Sequence, residues 1–253
     1  MLLAINIGNT NISAAFFSTA GPDNKILKRF SIPVKTYSKK KLAGILKSGL
    51  INIFDTVICS VVPGLTKTLA HDLKLITGKR PYILGKDAPV PIKSLYKPGQ
   101  LGLDRLINAY AASRIYPLPL VVIDSGTAIT FDVVSKNKVY LGGLIAPGMS
   151  ISLNSLAEKT ALLPAIRIGA PKKLIARDTK NSILSGVIFG SAALCKELVQ
   201  RIKKHTGKYT LVLGTGGNIA LIKKYSGIKL IVDKDLTLKG LSLVYADEIN
   251  KRV

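Results

Sequence analysis

Two short stretches of this chain, 118 residues apart, carry the same design. Leu2-Leu-Ala-Ile-Asn6-Ile-Gly8-Asn9-Thr10 matches Val121-Val-Ile-Asp124-Ser-Gly126-Thr127-Ala128 once the polar residue near the end of each apolar run is aligned. Each then continues into a second apolar run, Ile12 to Phe17 and Ile129 to Val134. An apolar strand, a tight glycine-containing turn and a returning strand make one hairpin. Two copies of it predict two domains of similar architecture, with boundaries at 1–116 and 117–253.

Between and after the copies, the pattern alternates. Asp55 to Val62 (DTVICSVV) predicts a buried strand, and Leu65 to Ile76 a helix. A second helix is expected over Leu103 to Ile115, closed by Pro117 and Pro119, which mark the joint between the domains. Further on, Ser182 to Lys203 predicts a long helix and Tyr209 to Leu213 a strand, with Gly214 to Gly217 turning into a helix from Asn218. Lys39-Lys40-Lys41 suits a solvated helix start or loop. Hairpins followed by alternating helix and strand define an α/β chain with mixed sheets.

Composition narrows the function. With 37 Lys and Arg against 14 Asp and Glu, the net charge is +23, yet 47% of residues are apolar, so a folded body carries the charge rather than a disordered tail. Cys59 and Cys195 stand far apart in apolar surroundings, as buried thiols of a reducing compartment do. His71 and His205 have no partners at metal-ligand spacing, which argues against a zinc site and a histidine-based triad. The uncharged stretch Met1 to Pro22 lacks a basic leader and is interrupted by Asn6, Asn9 and Asn11, and Val139 to Ala157 is broken by Gly142, Gly143, Pro147 and Gly148. A cytoplasmic protein with no membrane segment is expected. Despite the charge, no basic and aromatic module points to a specific nucleic-acid partner.

Acids embedded among apolar residues stand out in so basic a chain. Asp124 follows Leu120-Val-Val-Ile123, at the carboxyl end of a strand where open α/β sheets place ligands; a residue closing the hairpin turn is the plainer reading. Asp104, in Gly102-Leu-Asp104-Arg105, suits either a helix N-cap or a carboxylate that accepts a hydroxyl proton while Arg105 holds an anionic group. Local sequence leaves both pairs of readings open. Glycine turns at Gly8, Gly126 and Gly214 to Gly217, each ending an apolar strand, favour close approach to phosphate. Neither the G-x-x-x-x-G-K-[ST] nor the dinucleotide fingerprint is present.

Taken in order, Asn6 to Thr10, Gly102 to Arg105, Asp124 to Ala128, Gly142 to Gly148, Thr215 to Gly217 and Asp235 to Leu241 resemble the motifs of the type III pantothenate kinases across essentially the whole chain. The resemblance implies the fold of the acetate and sugar kinase, Hsp70 and actin superfamily: two ribonuclease-H-like domains with an ATP cleft, in a homodimer whose interface lies on the C-terminal domain. It assigns Asn6, Ile7, Gly8, Asn9, Thr10, Asn11, Ile12 and Ser13 to the first phosphate loop, and Thr127 to ATP. Asp104 becomes the general base toward the pantothenate hydroxyl, within a substrate pocket of Tyr96, Gly102, Leu103, Asp104 and Arg105. Asp124 becomes the ligand of a monovalent cation, K⁺ or NH₄⁺, and Thr179 reaches pantothenate across the dimer interface. Mg²⁺ accompanies ATP.

Two departures bear on this. The family's first loop normally opens with Asp, where this chain has Asn6, and Tyr96 lies six residues before Gly102 where seven is usual. Losing a charge-assisted contact costs about 1.5–3 kcal/mol, so the expected activity is slowed. The readings in competition are a weakened or inactive paralogue with a binding or regulatory role, a nucleic-acid-associated protein, and a kinase for another small hydroxyl acceptor.

Overall fold

A computed structural model describes residues 1–18, 20, 25–48, 53, 55–97 and 99–250 of the chain. The elements run β1 (Leu2–Ile7), β2 (Asn11–Phe17), β3 (Ile26–Pro33), α1 (Lys39–Ser48), β4 (Asp55–Ser60), α2 (Pro63–Thr77), β5 (Tyr82–Ile83), β6 (Lys93–Ser94), α3 (Leu103–Ile115), β7 (Leu120–Ser125), β8 (Ala128–Val134), β9 (Val139–Pro147), α4 (Met149–Lys159), α5 (Thr179–Thr206), β10 (Leu211–Thr215), α6 (Ile219–Ser226), β11 (Ile231–Val232) and α7 (Leu236–Asn250). The uncharged N-terminal stretch forms β1 and β2, and its end at Pro22 lies outside the described residues.

In the first unit the sheet order is β3-β2-β1-β4-β5. β1 pairs antiparallel with β2 and parallel with β4, so it is central and covered on both faces. That explains its unbroken apolar run. Leu2 and Ala4 face Ile107 of α3 and Leu241 and Val244 of α7, while Leu3, Ile5 and Ile7 face Leu42 of α1 and Leu69 and Leu73 of α2. At the edge, β3 exposes Lys28 and Arg29, charges that discourage pairing with another strand. Lys39 to Lys41 begin α1 and are exposed.

The second unit repeats the order. Its sheet reads β11-β10-β7-β8-β9, with β6 added beyond β9. β7 takes the place of β1, antiparallel to β8 and parallel to β10. One face packs Val121, Ile123, Ile129 and Phe131 against Met149 of α4, Leu184, Ile188, Cys195 and Val199 of α5, and Ile219 and Ile222 of α6. This is the ribonuclease-H-like topology twice over, as the duplication implied.

Tertiary packing changes the expected domain division. The first unit comprises Met1–Ile92, Tyr96–Ile115 and the chain from Asp235 onward; the second takes Lys93–Leu95 and Tyr116–Lys234. The last helix, expected to complete the C-terminal domain, belongs to the first. The cause is a close helix crossing: a β-carbon at Gly240 in α7 would lie 2.5 Å from Ile107 Cγ2 and 2.9 Å from the Ile107 carbonyl oxygen. Near the joint, Leu118-Pro119 is a cis peptide, and the Pro119 carbonyl accepts the Leu211 N–H at 2.9 Å.

Other boundaries moved by a few residues. α5 begins at Thr179 rather than Ser182, because Asp178 caps it by accepting the Asn181 N–H at 2.9 Å. β10 starts at Leu211, two residues later than expected, which brings Thr215 into register with Asp124.

Gly240→Ala places a methyl group against Ile107 backbone and side chain and is expected to cost about 1–3 kcal/mol. Gly44→Ala in α1, where nothing lies within 4 Å, is expected to stabilise by roughly 0.5–1 kcal/mol. Thermal melts of the two variants should shift in opposite directions.

Candidate active site

In the first unit the turn after β1 is held by backbone on three sides. Gly8 donates its N–H to the Asn11 carbonyl at 3.0 Å, Val34 donates to the Thr10 carbonyl at 2.9 Å, and Val61 donates to the Ile7 carbonyl at 3.1 Å. Asn9, Thr10 and Asn11 are left exposed at the tip, with Ile12 buried behind them. Asn6 is half-buried in β1, opposite Ser13 on β2 and Cys59 on β4. Among the described residues the Asn6 amide has no hydrogen-bond partner. Side chains alternate along a strand, so Asn6 continues the Leu2 and Ala4 face, the one packed under α3 and α7.

Asp104 lies in the first turn of α3, which starts at Leu103, so it is not the N-cap. Its Oδ1 accepts the Arg105 N–H at 2.8 Å, and a carboxylate there is favoured by the helix dipole. Gly102 lets the Asp104 carboxylate lie close to the backbone, since a β-carbon there would sit 2.7 Å from Asp104 Oδ1 and push it aside. Arg105 is buried, with its guanidinium carbon 6.0 Å from the centroid of the Tyr96 ring. This is the reach of a cation–π contact, so Tyr96 meets Arg105 despite its shorter spacing. Burial pushes the Cys59 thiol well above the usual range, and the Asp104 carboxylate adds to the effect. Cys59 therefore links the two ends of the site: it is the register partner of Asn6 and feels the charge of Asp104.

In the second unit Asp124 lies inside β7, facing Thr130 of β8 and Thr215 of β10, rather than in the turn that follows. Gly126 closes that turn with its N–H on the Ala128 carbonyl at 3.0 Å, and Thr127 is exposed at its tip. Two glycines press on this turn. A β-carbon at Gly148, the N-cap of α4, would lie 2.1 Å from the Thr127 carbonyl oxygen and 2.7 Å from that of Gly126. At Gly216, before α6, it would lie 2.3 Å from Asp124 Oδ1. The starts of α4 and α6 thus meet the 124–128 turn, and helix N-termini are suited to anions such as phosphate.

Thr179 is exposed at the first position of α5, and among the described residues nothing joins it to another site residue. Asp132 is a residue that sequence reasoning missed. It is fully buried in β8 and accepts the Tyr140 hydroxyl at 2.8 Å and the Thr130 hydroxyl at 3.2 Å. The signal was present, since Ile129-Thr-Phe-Asp132-Val-Val134 embeds an acid among apolar residues just as β7 does.

No three His, Cys, Asp or Glu side chains converge among the described residues. A cation here would take an Asp124 oxygen together with other oxygen ligands such as backbone carbonyls, water or a nucleotide phosphate.

A family model for type III pantothenate kinase matches residues 2–201. A type III pantothenate kinase of Dehalococcoides mccartyi is 37% identical over 253 residues, covering 96% of each chain, and one of Agathobacter rectalis is 35% identical over 263 residues, covering 100% of each. Among solved structures, a Campylobacter jejuni protein described as a Baf-family transcriptional activator superposes with a TM-score of 0.61 at 20% identity, covering 98% of this chain and 99% of that one. That last likeness concerns fold alone, and it agrees with the repeated ribonuclease-H-like sheets. The family match spans residues 2–201 and these relatives cover nearly the whole chain, and on them the chain belongs to the type III pantothenate kinases.

Proposed function

We propose that this chain catalyses in-line transfer of the ATP γ-phosphoryl group to the hydroxyl of pantothenate, giving 4′-phosphopantothenate, the first step of coenzyme A biosynthesis. The observation that carries the reading is Asp104 held at the start of α3 beside Arg105 and Tyr96, in a chain whose family membership spans both units.

Each residue then has a physical task. Asp104 accepts the proton of the pantothenate hydroxyl as its oxygen attacks phosphorus. Arg105 neutralises the pantothenate carboxylate, and stacking on Tyr96 limits its motion. Backbone N–H groups of the Asn6 to Ser13 loop and of the turn at Thr127 bind phosphate oxygens. Asp124 holds a monovalent cation, K⁺ or NH₄⁺, and Mg²⁺ arrives with ATP; these ions supply positive charge to the phosphates. Asn6 offers an amide in place of a carboxylate, which weakens cation and phosphate positioning without removing it. The protein works in the cytoplasm, where ATP and pantothenate are available.

We further propose that a second copy completes the site. α5 is long and apolar enough to cross a membrane by length and composition, yet only 33% of its most apolar window is buried. Its Ile183, Val187 and Leu194, with Leu156 and Leu163, line a shallow groove of about 560 Å³ whose floor includes Gly186 and Gly190. A partner seated there covers these side chains, and α5 begins with Thr179, the residue assigned to the partner's pantothenate.

With Mg·ATP, K⁺ and pantothenate, the purified protein is expected to form phosphopantothenate; absence of product from folded protein overturns the kinase reading. Asp104→Asn should lower kcat about 10²-fold or more. Asn6→Asp should raise kcat/KM by roughly ten- to a hundredfold, the rate equivalent of about 1.5–3 kcal/mol. Leu194→Glu should convert a dimer to a monomer in light scattering, with loss of pantothenate turnover; a wild-type monomer with full activity argues against the shared site.

A further inference from the structure

Asp124 is crowded on one side by backbone. The parallel pairing of β10 with β7 puts Thr215 in register with Asp124, and the chain then turns through Gly216 and Gly217 into α6. Gly216 has φ of +90°, a conformation that residues with a β-carbon rarely adopt. A β-carbon here would lie 2.3 Å from Asp124 Oδ1 and 2.7 Å from both the nitrogen and the carbonyl carbon of Ser125. The Asn218 N–H donates to the Ser125 carbonyl at 2.9 Å and ties the turn to the end of β7. The position a Gly216 side chain would take is thus filled by the Ser125 backbone and one Asp124 carboxylate oxygen. By contrast, a β-carbon at Gly217 would meet nothing within 4 Å.

A carboxylate that ends a strand would ordinarily be free to rotate about χ1 and χ2, and a cation ligand loses affinity with that freedom. Groups that orient a metal ligand typically carry ten- to a hundredfold in affinity. Gly216 supplies this restraint by shape: the turn is hydrogen-bonded to β7, and there is no space for the carboxylate on that side. We propose that Gly216 is a positioning residue that fixes the Asp124 carboxylate for the monovalent cation, so that the Thr215 to Gly217 turn sets cation affinity. The proposal rests on the reading of Asp124 as the cation ligand.

In Gly216→Ala the methyl group meets Asp124 Oδ1 at 2.3 Å and the Ser125 backbone at 2.7 Å, so the carboxylate has to move and the turn has to shift with it. The K⁺ concentration for half-maximal activation is expected to rise about tenfold or more, while kcat at saturating K⁺ falls by a smaller factor. Gly44→Ala in α1 should leave the half-activating concentration unchanged. Equal K⁺ response in Gly216→Ala and wild type overturns the proposal, as does a drop in kcat alone. Thermal melts in the Asp124→Ala background provide a second measurement that needs no activity. Gly216→Ala should be less destabilising there than in the wild-type background, because the carboxylate it strikes is gone. If Gly216→Ala fails to fold in both backgrounds, or costs the same in both, the glycine serves the fold and the proposal falls. A wild-type enzyme indifferent to K⁺, or an Asp124→Asn variant with the full K⁺ response, removes the cation reading itself; the two-background melts still report the contact.

Discussion

The two glycine turns that follow β1 and β7 depend on the way these strands are flanked. β1 and β7 each have an antiparallel hairpin partner on one side and a parallel strand on the other. Such a strand lies inside its sheet, and in β1 helices pack on both faces, which favours an apolar interior with polar side chains toward the carboxyl end. Asn6 and Asp124 occupy equivalent places, each followed by a glycine turn whose backbone closes on itself. Parallel neighbours bring further turns to the same end, after β4 and after β10. Asn6 and Asp124 are therefore placed by backbone pairing, whereas Asp104 and Arg105 are placed by the start of α3.

This explains what could be seen in the sequence. β1 and β7 were legible because burial on both faces leaves a continuous apolar run, and the duplication was legible because both units repeat it. β5, β6 and β11, with two residues each, were not: a two-residue strand has no periodicity, and its existence is decided by the neighbour it pairs with. The return of α7 to the first unit also leaves no local trace. Gly240 shows that α7 approaches something closely, but Ile107 as the partner is a fact of tertiary structure. In the site, the ordered motifs named the residues, whereas the contacts of Gly148 and Gly216 with the 124–128 turn join segments far apart in the chain. The two-residue displacement of β10 had chemical weight, since it puts Thr215 beside Asp124.

The charge balance also becomes physical. Several of the 14 acids are held by tyrosine hydroxyls: Asp72 by Tyr37 at 2.8 Å, Asp233 by Tyr116 at 2.9 Å, Asp132 by Tyr140 at 2.8 Å, and Asp247 by Tyr110 with Arg114 alongside. Burial first, and the adjacent carboxylate second, raise the pKa of Tyr37, Tyr110 and Tyr116, so these hydroxyls remain donors at every physiological pH. Asp87 accepts Arg80 and the Ile83 N–H, and Asp178 caps α5. Six of the 14 acids are thus spent on structural contacts. With 37 Lys and Arg to 14 acids, pairing cannot balance the charge, and exposed lysines such as Lys39, Lys40 and Lys41 at the start of α1 carry part of the surplus.

A surplus of this size has a consequence for the first loop. The attraction of a basic body for a nucleotide is long-ranged but screened over about 8 Å at physiological salt, so it raises encounter rates without aiming any particular oxygen. A carboxylate at position 6 would do the opposite: it acts only at contact, through a metal ion, on the phosphates already bound. The two effects are not interchangeable, and general positive charge cannot replace the lost local negative charge at Asn6. What the field does change is the binding term, because a protein carrying +23 holds anions against a weaker local grip. On the proposed reading of the first loop, the cost of Asn6 therefore falls on the alignment of the transferred phosphoryl group, and so on kcat more than on the affinity for ATP.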